Sequence, residues 1–477
     1  MSDRTLSAHA LVPLLQGLPD DAPLYRALAD RLRLLSIDGR IPPDTRLPSE
    51  RDLAQALDVS RTTVSQAYAA LRSDGFLTSR RGSGSLLHAP GSRPGTPGPD
   101  APALDLTKAT MPAASQVAAA ATAAAADLPR HLLRHDYDPV GLPALRAALA
   151  DRYTALGLPT TPEQVMVTLG AQHAIGLVAR THVRPGDRAV IEMPTYPHAL
   201  DALVAAGARP LAVPVDARAG WDADGLLRAI ASGPAVAHLM PDHHNPTGAI
   251  MPHDLRTAVC HAAARSGTIV VVDETTAELD IDRLTPWTPF ARHATPGTQV
   301  VTIGSVGKTL WGGLRLGWVR ADTDTITRLV AARHVHDLGT PILEQLVLLH
   351  ALPYLADVAE TRRAQLRASR DHLTARLAER LPTWDVPHVH GGLALWVGLG
   401  EAYSSRLALA ARARGLAISA GPRFGTGGEF ERHLRIPITA APDVLDEAVD
   451  ILVRAWDAVT SAPERPGAEL RDASVPV

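Results

Sequence analysis

The chain carries 47 basic residues, and only two of them, Lys108 and Lys308, are lysines. Lys308 stands in GSVGKTLWGGLRLGWV, between a strand-like run and a glycine-rich turn. A lysine amine can shed its proton and attack a carbonyl, whereas a guanidinium stays charged and non-nucleophilic. Schiff-base chemistry at Lys308 therefore stands beside the plain alternative of a solvated surface lysine. Asp273 ends the apolar run TIVVVD, and open α/β sheets bind ligands at the carboxyl ends of their strands. A carboxylate there can keep a pyridine nitrogen protonated, or simply serve as a helix cap or turn acid. HNPTG puts Asn245 in a turn from which its amide can reach a phenolic oxygen. LGAQHAIGL joins a strand to a helix, so the N–H groups of Ala171 and Gln172 can face a phosphate at a helix N-terminus. Ser305 and Arg315 flank Lys308 and can complete that cup. Tyr196 in MPTYP offers a ring for stacking, or a core or interface tyrosine. Arg435 in HLRIPI can clamp a substrate carboxylate, or be an ordinary edge-strand cation. These positions become coherent around one ligand, pyridoxal phosphate, and none of them calls for a metal.

Residues so far apart need a sheet to gather them. QVMVTLG, RAVIEMP, VAHLMP, TIVVVDE and QVVTIGS read as buried strands, each ending in a turn signal, with helical stretches between most of them. That alternation predicts a mostly parallel sheet with helices on its faces. Helix dominates from about Thr323, including Ala356 to Leu381, and the alanine-rich stretch Ala113 to Ala126 also reads as helix. A smaller C-terminal lobe follows, with strands near Leu393 to Val397 and His433 to Ile438. Before all this lies HAPGSRPGTPGPDAPAL, from His88 to Leu104, dense in proline and glycine and without apolar period. As a flexible coil it spans ~22 Å, and fully extended ~53 Å. The predicted organisation is a module over residues 22–88, a linker over 89–104 and a large domain over 105–460. The module holds ten arginines against seven acids inside a chain of net charge −3.

In the module, LPSERDLAQALDVSRTTVSQAYAALRSDGFL reads as two short helices at a tight turn, capped by Ser49 and Ser60. The second presents Arg61, Thr62 and Thr63 at its N-terminal end, where a helix laid in a major groove meets base edges. Arg61 can reach a guanine bidentately, and the threonines suit phosphate or a thymine methyl. GFLTSRRGSGSLL reads as a two-stranded wing with Arg80, Arg81 and Gly82 near its tip.

PLYRALADRLRLLSIDGRIPPDTRLPSERDLA, VSRTTVSQAY and GFLTSRRGSG closely resemble the winged helix-turn-helix of the GntR family of bacterial transcription regulators. The resemblance implies contact with double-stranded operator DNA by Arg51, Arg61, Thr62, Thr63 and the wing at Arg81 and Gly82, with Ser49 counted among them. Gly170, Tyr196, Asn245, Asp273, Lys308, Arg315 and Arg435 occur in the order of fold type I aminotransferases, and YDPVGLPALRAALADRY resembles that family's entry region. The combination resembles the MocR subfamily of regulators. It implies a winged helix-turn-helix (α+β) followed by an α/β, fold type I aminotransferase-like domain. It also implies pyridoxal phosphate held by Lys308 with Asp273, a small amine, amino acid or the cofactor itself as effector, and a homodimer. The sequence departs from the family pattern at three sites. Thr275 and Thr276 stand where a tyrosine is usual after the aspartate, Gly307 replaces a common serine, and Ala171 replaces the phosphate-loop serine. Cofactor binding is expected to survive these changes; efficient transamination is in question. An active aminotransferase and a cofactor-free dimer scaffold are the rival readings.

Composition narrows the rest. With 46% hydrophobic and 20% charged residues the chain is globular. One cysteine, Cys260, excludes an internal disulfide framework and fits a reducing cytoplasm. The N-terminus MSDRTLSAHALVPLL has no signal-peptide core, and Val117 to Ala126 is far short of the ~20 residues of a spanning helix, so no membrane association is expected.

Overall fold

The computed structural model describes residues 4–15, 23–37, 40–42, 44–80, 84–88, 92–93, 96–97, 103–133, 137–282, 287–426 and 428–461. In the N-terminal module, Glu50–Leu57 and Arg61–Ser73 are helices, and Arg61–Ser73 packs against both Glu50–Leu57 and Leu24–Ile37. Ser49 Oγ accepts from the Asp52 N–H at 3.1 Å and Ser60 Oγ from the Thr63 N–H at 3.0 Å, so both expected caps form. Asp58, in the left-handed region at φ 54°, ends the first helix and sets up the turn. Leu53, Val64, Tyr68 and Leu71 are fully buried with Leu28 and Leu32, and the Tyr68 hydroxyl donates to the Pro48 carbonyl at 2.9 Å. Leu77–Arg80 and Gly84–Leu87 pair antiparallel as the wing, and Thr45–Leu47 extends that sheet. Arg81 and Gly82 lie outside the described residues.

The first strand of the C-terminal lobe overlaps the last residue of the expected linker. Leu104–Leu106 is already a strand of the C-terminal lobe, parallel to Leu416–Ile418, with Leu106 buried in that lobe's core. Its apolar alternation is too short to register as a strand until a partner over 300 residues away supplies the hydrogen bonds. Upstream, Ser92–Arg93 and Thr96–Pro97 form a small antiparallel pair.

The large domain is built on eight strands. Their order across the sheet is Gly220–Trp221, Arg209–Asp216, Arg188–Met193, Val236–Leu239, Ile269–Asp273, Val300–Ser305, Gly317–Arg320 and Val165–Thr168. The middle of the sheet is parallel, as the sequence predicts, and its strands are buried on both faces. Three pairings are antiparallel. Two of these follow from chain length: between Asp216 and Gly220, and between Ser305 and Gly317, there are too few residues for a crossover helix, so the chain turns back. Arg209–Asp216 has no strand signature in the sequence because Pro210 and Pro214 interrupt it; near the sheet edge those prolines cost little.

Helices Ala171–His182, Pro197–Ala205 and His253–Ser266 cover the sheet. The expected alanine-rich helix runs Gln116–Asp127, and the arginine-rich one Leu355–Arg380. Ile342–Arg380 is long and apolar enough to cross a membrane by length and composition, yet Leu346, Val347, Leu348 and Ala351 are buried in the large domain's core. The small lobe orders its strands Ala394–Gly398, His433–Pro437, Leu416–Ala420 and Leu104–Leu106, with helices Leu355–Arg380 and Pro442–Thr460 behind.

The N-terminal module rests on this lobe. Leu34 is buried in the lobe's apolar cluster, Arg31 donates to the Gly428 carbonyl at 3.0 Å, and the Arg31 guanidinium lies 3.5 Å from the Glu431 carboxylate.

Candidate functional site: a cationic cleft between sheet and small lobe

The strand ends, the small lobe and the segment after Leu106 enclose a cavity of about 320 Å³. Lys308 lines it, half-buried just beyond the end of Val300–Ser305, with Nζ donating to the Ala109 carbonyl at 2.7 Å. Burial, reinforced by the positive charge of Arg435, pulls its amine down to about 8, and Asp273 opposes the shift. Lys308 is thus not a freely solvated surface lysine, since it is half-buried in the cavity wall. Asp273, buried at the end of the neighbouring strand, lines the same cavity and accepts the Thr275 N–H at 2.9 Å.

Asn245 and Tyr196 line it from the loops after two other strands. The Tyr196 hydroxyl is pushed up to about 12 by burial and by the Asp273 charge, so it stays a neutral donor. Ala171 and Gln172 begin their helix behind Gly170, at φ 90°, which contributes no side-chain cap. That leaves the helix N-terminus facing the cavity beside Ser305 and Arg315. The close approach is enforced at Gly317, where a Cβ would fall 2.8 Å from the Gly170 carbonyl carbon and 2.9 Å from the Ala171 nitrogen. Arg315, at φ 52°, is held there by donating to the Leu169 carbonyl at 3.2 Å, and Ser305 Oγ donates to the Leu316 carbonyl at 2.9 Å.

Arg435 reaches the cavity from the small lobe. Its guanidinium is buried, donates to the Thr107 carbonyl and lies over the Phe424 ring at 4.9 Å; burial brings it down to about 10. The edge-strand reading fails too, because its strand lies between two others. Thr275 and Thr276 line the cavity, and the Thr276 hydroxyl is spent on the Asp242 carbonyl at 3.0 Å. Neither reaches as far as a phenol would.

Sequence reasoning singled out Lys108 only as the other lysine, yet it also lines the cavity, so both lysines of the chain meet here. Arg423 and Ser419, also in the lining, were missed altogether. Their signal in the sequence is weak, since Arg423 sits in a short 3-10 turn within a chain rich in arginine. Away from the cavity, Asp282, His388 and His390 place ligand-type atoms within 4.8 Å of one another, but Arg370 already neutralises the carboxylate with two hydrogen bonds.

One buried acid beside the cavity has no ligand role. Glu274 is pushed up to about 8 by burial, while the Phe290 N–H on Oε1 at 2.8 Å pulls the other way. Folded protein thus keeps a proton that the unfolded chain releases from about 4.5 upward, so this group's contribution is fully present below 4.5 and is lost as pH rises through about 8. Wild-type stability is expected to fall between about pH 4.5 and pH 8 more steeply than that of Glu274→Gln; urea midpoints with parallel pH dependence in both proteins would contradict it.

In the N-terminal module, Arg61 projects from its helix 74% exposed, with Glu50 only at the 4.0 Å limit of an ion pair. Arg51 and Thr62 are exposed. The Thr63 hydroxyl instead lies 2.8 Å from Ser60 Oγ, completing the cap.

A sheet with a lysine and an aspartate at adjacent strand ends, a small lobe closing over them and a winged helix upstream define a DNA-binding transcription regulator with an aminotransferase-like domain. Residues 104–452 match the family described as aminotransferase class I and II, and residues 24–87 the family of bacterial regulatory proteins, gntR family. The chain belongs to the aminotransferase class I and II family and, with its gntR-family module, is a MocR-type regulator. It is 29% identical to the HTH-type transcriptional regulator TauR of Rhodobacter capsulatus, over 88% of this chain and 93% of that one. It is 30% identical to the probable rhizopine catabolism regulatory protein MocR of Rhizobium meliloti, over 63% and 65% of the respective chains. Among solved structures, the α-aminoadipate aminotransferase LysN of Thermus thermophilus, complexed with N-(5'-phosphopyridoxyl)-L-leucine, matches at TM-score 0.68 and 27% identity, covering 76% of this chain and 93% of its own.

Proposed function

We propose that this regulator binds pyridoxal 5'-phosphate through Lys308 and that a small amino-acid or amine ligand in the same cavity alters its grip on operator DNA. The observation that carries the reading is the Lys308 amine, desolvated and lowered to about 8, beside the Asp273 carboxylate and an uncapped helix N-terminus. Those groups suit the cofactor's three chemistries. Lys308 would take the aldehyde, Asp273 the ring nitrogen, and Ala171, Gln172, Ser305 and Arg315 the phosphate. Asn245 would bond the phenolic oxygen and Tyr196 would stack on the ring. When bound, the cofactor supplies an electrophilic carbon that captures primary amines. Arg435 would hold the incoming carboxylate.

A route to the DNA follows from one loop. Arg423 and Phe424 wall the cavity, and a few residues on, Gly428 and Glu431 receive Arg31 of the module. A ligand that shifts this loop moves the floor on which the module rests. The protein is read as acting in the cytoplasm as a homodimer, because a tight operator needs two such modules at a high effective concentration. The test is visible absorbance of the purified protein, followed by operator titrations with and without a panel of amino acids. A colourless protein whose DNA affinity ignores the panel would refute the reading. Turnover of amino donors is expected to be slow, as Thr275 and Thr276 offer no phenol near the ring.

For DNA, Arg61→Ala is expected to weaken operator binding by about 1–3 kcal/mol, and random DNA far less. Equal losses on both DNAs, in fluorescence anisotropy at one salt concentration, would remove Arg61 from base reading.

A further inference from the structure

Five cations line the cavity, Lys108, Lys308, Arg315, Arg423 and Arg435, against one carboxylate among the described residues, Asp273. On the functional reading above, the cofactor engages Lys308 and Arg315, and the ligand's α-carboxylate engages Arg435. Arg423 and Lys108 remain, facing a cleft whose low-dielectric walls focus their positive field.

Arg423 is the better placed of the two. Its side chain is only 10% exposed, whereas that of Lys108 is 74% exposed and lies 3.2 Å from Asp105 at the cavity mouth. The turn Gly421–Phe424 that presents it is clamped at both ends. The Gly421 N–H donates to Ser404 Oγ at 2.9 Å, and the Phe424 carbonyl accepts the Thr195 N–H at 2.9 Å. A Cβ at Gly421 would sit 2.0 Å from the Phe430 carbonyl oxygen, so this close approach needs glycine. Phe424, next in the chain, is the residue whose ring supports the Arg435 guanidinium. The two arginines thus belong to the same small-lobe wall, close enough for the Arg423 charge to act on Arg435. The acidic partner of Arg423 is Asp201, at 3.4 Å; that carboxylate is 51% exposed and also lies 3.6 Å from His198. An ion pair of that length to a solvated acid holds weakly and yields to a desolvated anion.

We propose that Arg423 is a second anion anchor and that the ligand class is an amino acid carrying a further anionic group on its side chain. Arg435 would hold the α-carboxylate and Arg423 the distal anion. This rests on the functional reading above for the place of the cofactor and of Arg435.

L-Glutamate and L-glutamine have nearly the same shape and differ in that charge, so they are the probes. Calorimetric titration of the full-length protein is expected to give glutamate at least about tenfold tighter binding than glutamine, since the distal hydrogen bonds become charge-assisted. Arg423→Gln is expected to bring the ratio within about twofold, and Arg423→Lys, which restores a cation, to recover much of it. A ratio near one in the wild-type protein would overturn the proposal, as would a tenfold ratio that persists in Arg423→Gln. Loss of the ratio in Arg423→Lys as fully as in Arg423→Gln would mean that the charge is not what is read. The calorimetric ratio is measured whether or not the protein is coloured, so a missing absorbance band defeats the cofactor reading separately.

Discussion

Lys308→Ala is expected to remove the visible absorbance of the cofactor completely while leaving the chain folded. The loss is total because no other group can replace the bond. Lys108, the only other lysine, is tied to Asp105 at the cavity mouth, and an arginine cannot attack an aldehyde. Folding survives because the amine is already at a disadvantage where it sits: burial lowers it to about 8, and its one hydrogen bond goes to the Ala109 carbonyl. Lys308→Arg should be equally colourless although it keeps the charge, which separates chemistry from electrostatics. In the wild-type protein, capture of added cofactor should quicken as pH rises through about 8, as the amine sheds its proton. Cofactor fixed by borohydride in Lys308→Ala, or a pH-independent capture rate, would contradict this account.

The second large effect is structural. Asp242→Ala is expected to cost about 3–5 kcal/mol of stability, because it strips the carboxylate from a buried guanidinium. Arg256 Nη1 and Nη2 donate to the two Asp242 oxygens at 3.0 and 2.9 Å, and both residues are almost wholly buried. Arg256 also donates to the Met251 and Pro241 carbonyls, and the Asp242 carbonyl accepts the Thr276 hydroxyl. The pair therefore ties together the loop that carries Asn245 and the turn that follows Asp273. Loss of cofactor affinity should accompany the loss of stability. A double variant, Asp242→Leu with Arg256→Met, should recover most of the stability, since removing both charges also removes the cost of burying them. Urea midpoints distinguish the cases; a single variant within about 1 kcal/mol of wild type would show that water reaches Arg256.

What could be read in advance followed from local rules. The caps at Ser49 and Ser60 involve groups three residues apart, and both form with the partners their spacing implies. The central strands were visible as continuous apolar runs because both faces of the sheet are covered. The order of Tyr196, Asn245, Asp273, Lys308 and Arg315 was legible through the family resemblance, and the first four sit at or just beyond the ends of parallel strands, where the sheet delivers its loops to one edge. Arg209–Asp216 and Gly317–Arg320 escaped notice because proline and glycine dilute the strand signal, and only neighbouring strands supply the hydrogen bonds that define them.

The sequence by itself determined the chemistry available. It supplies a nucleophilic amine where nearly every other base is a guanidinium, an acid at a strand end and a basic two-helix module, since side-chain reactivity and local propensity travel with the residue. Tertiary structure alone decided the rest. It brought Arg435 to the Thr107 carbonyl across 328 positions, set Arg423 and Lys108 in the same cavity, and seated Arg31 on Gly428 and Glu431. No periodicity encodes such contacts. They arise when separate apolar faces are buried together, and it is the same burial that strips water from Lys308 and Arg435 and so changes what their charges do.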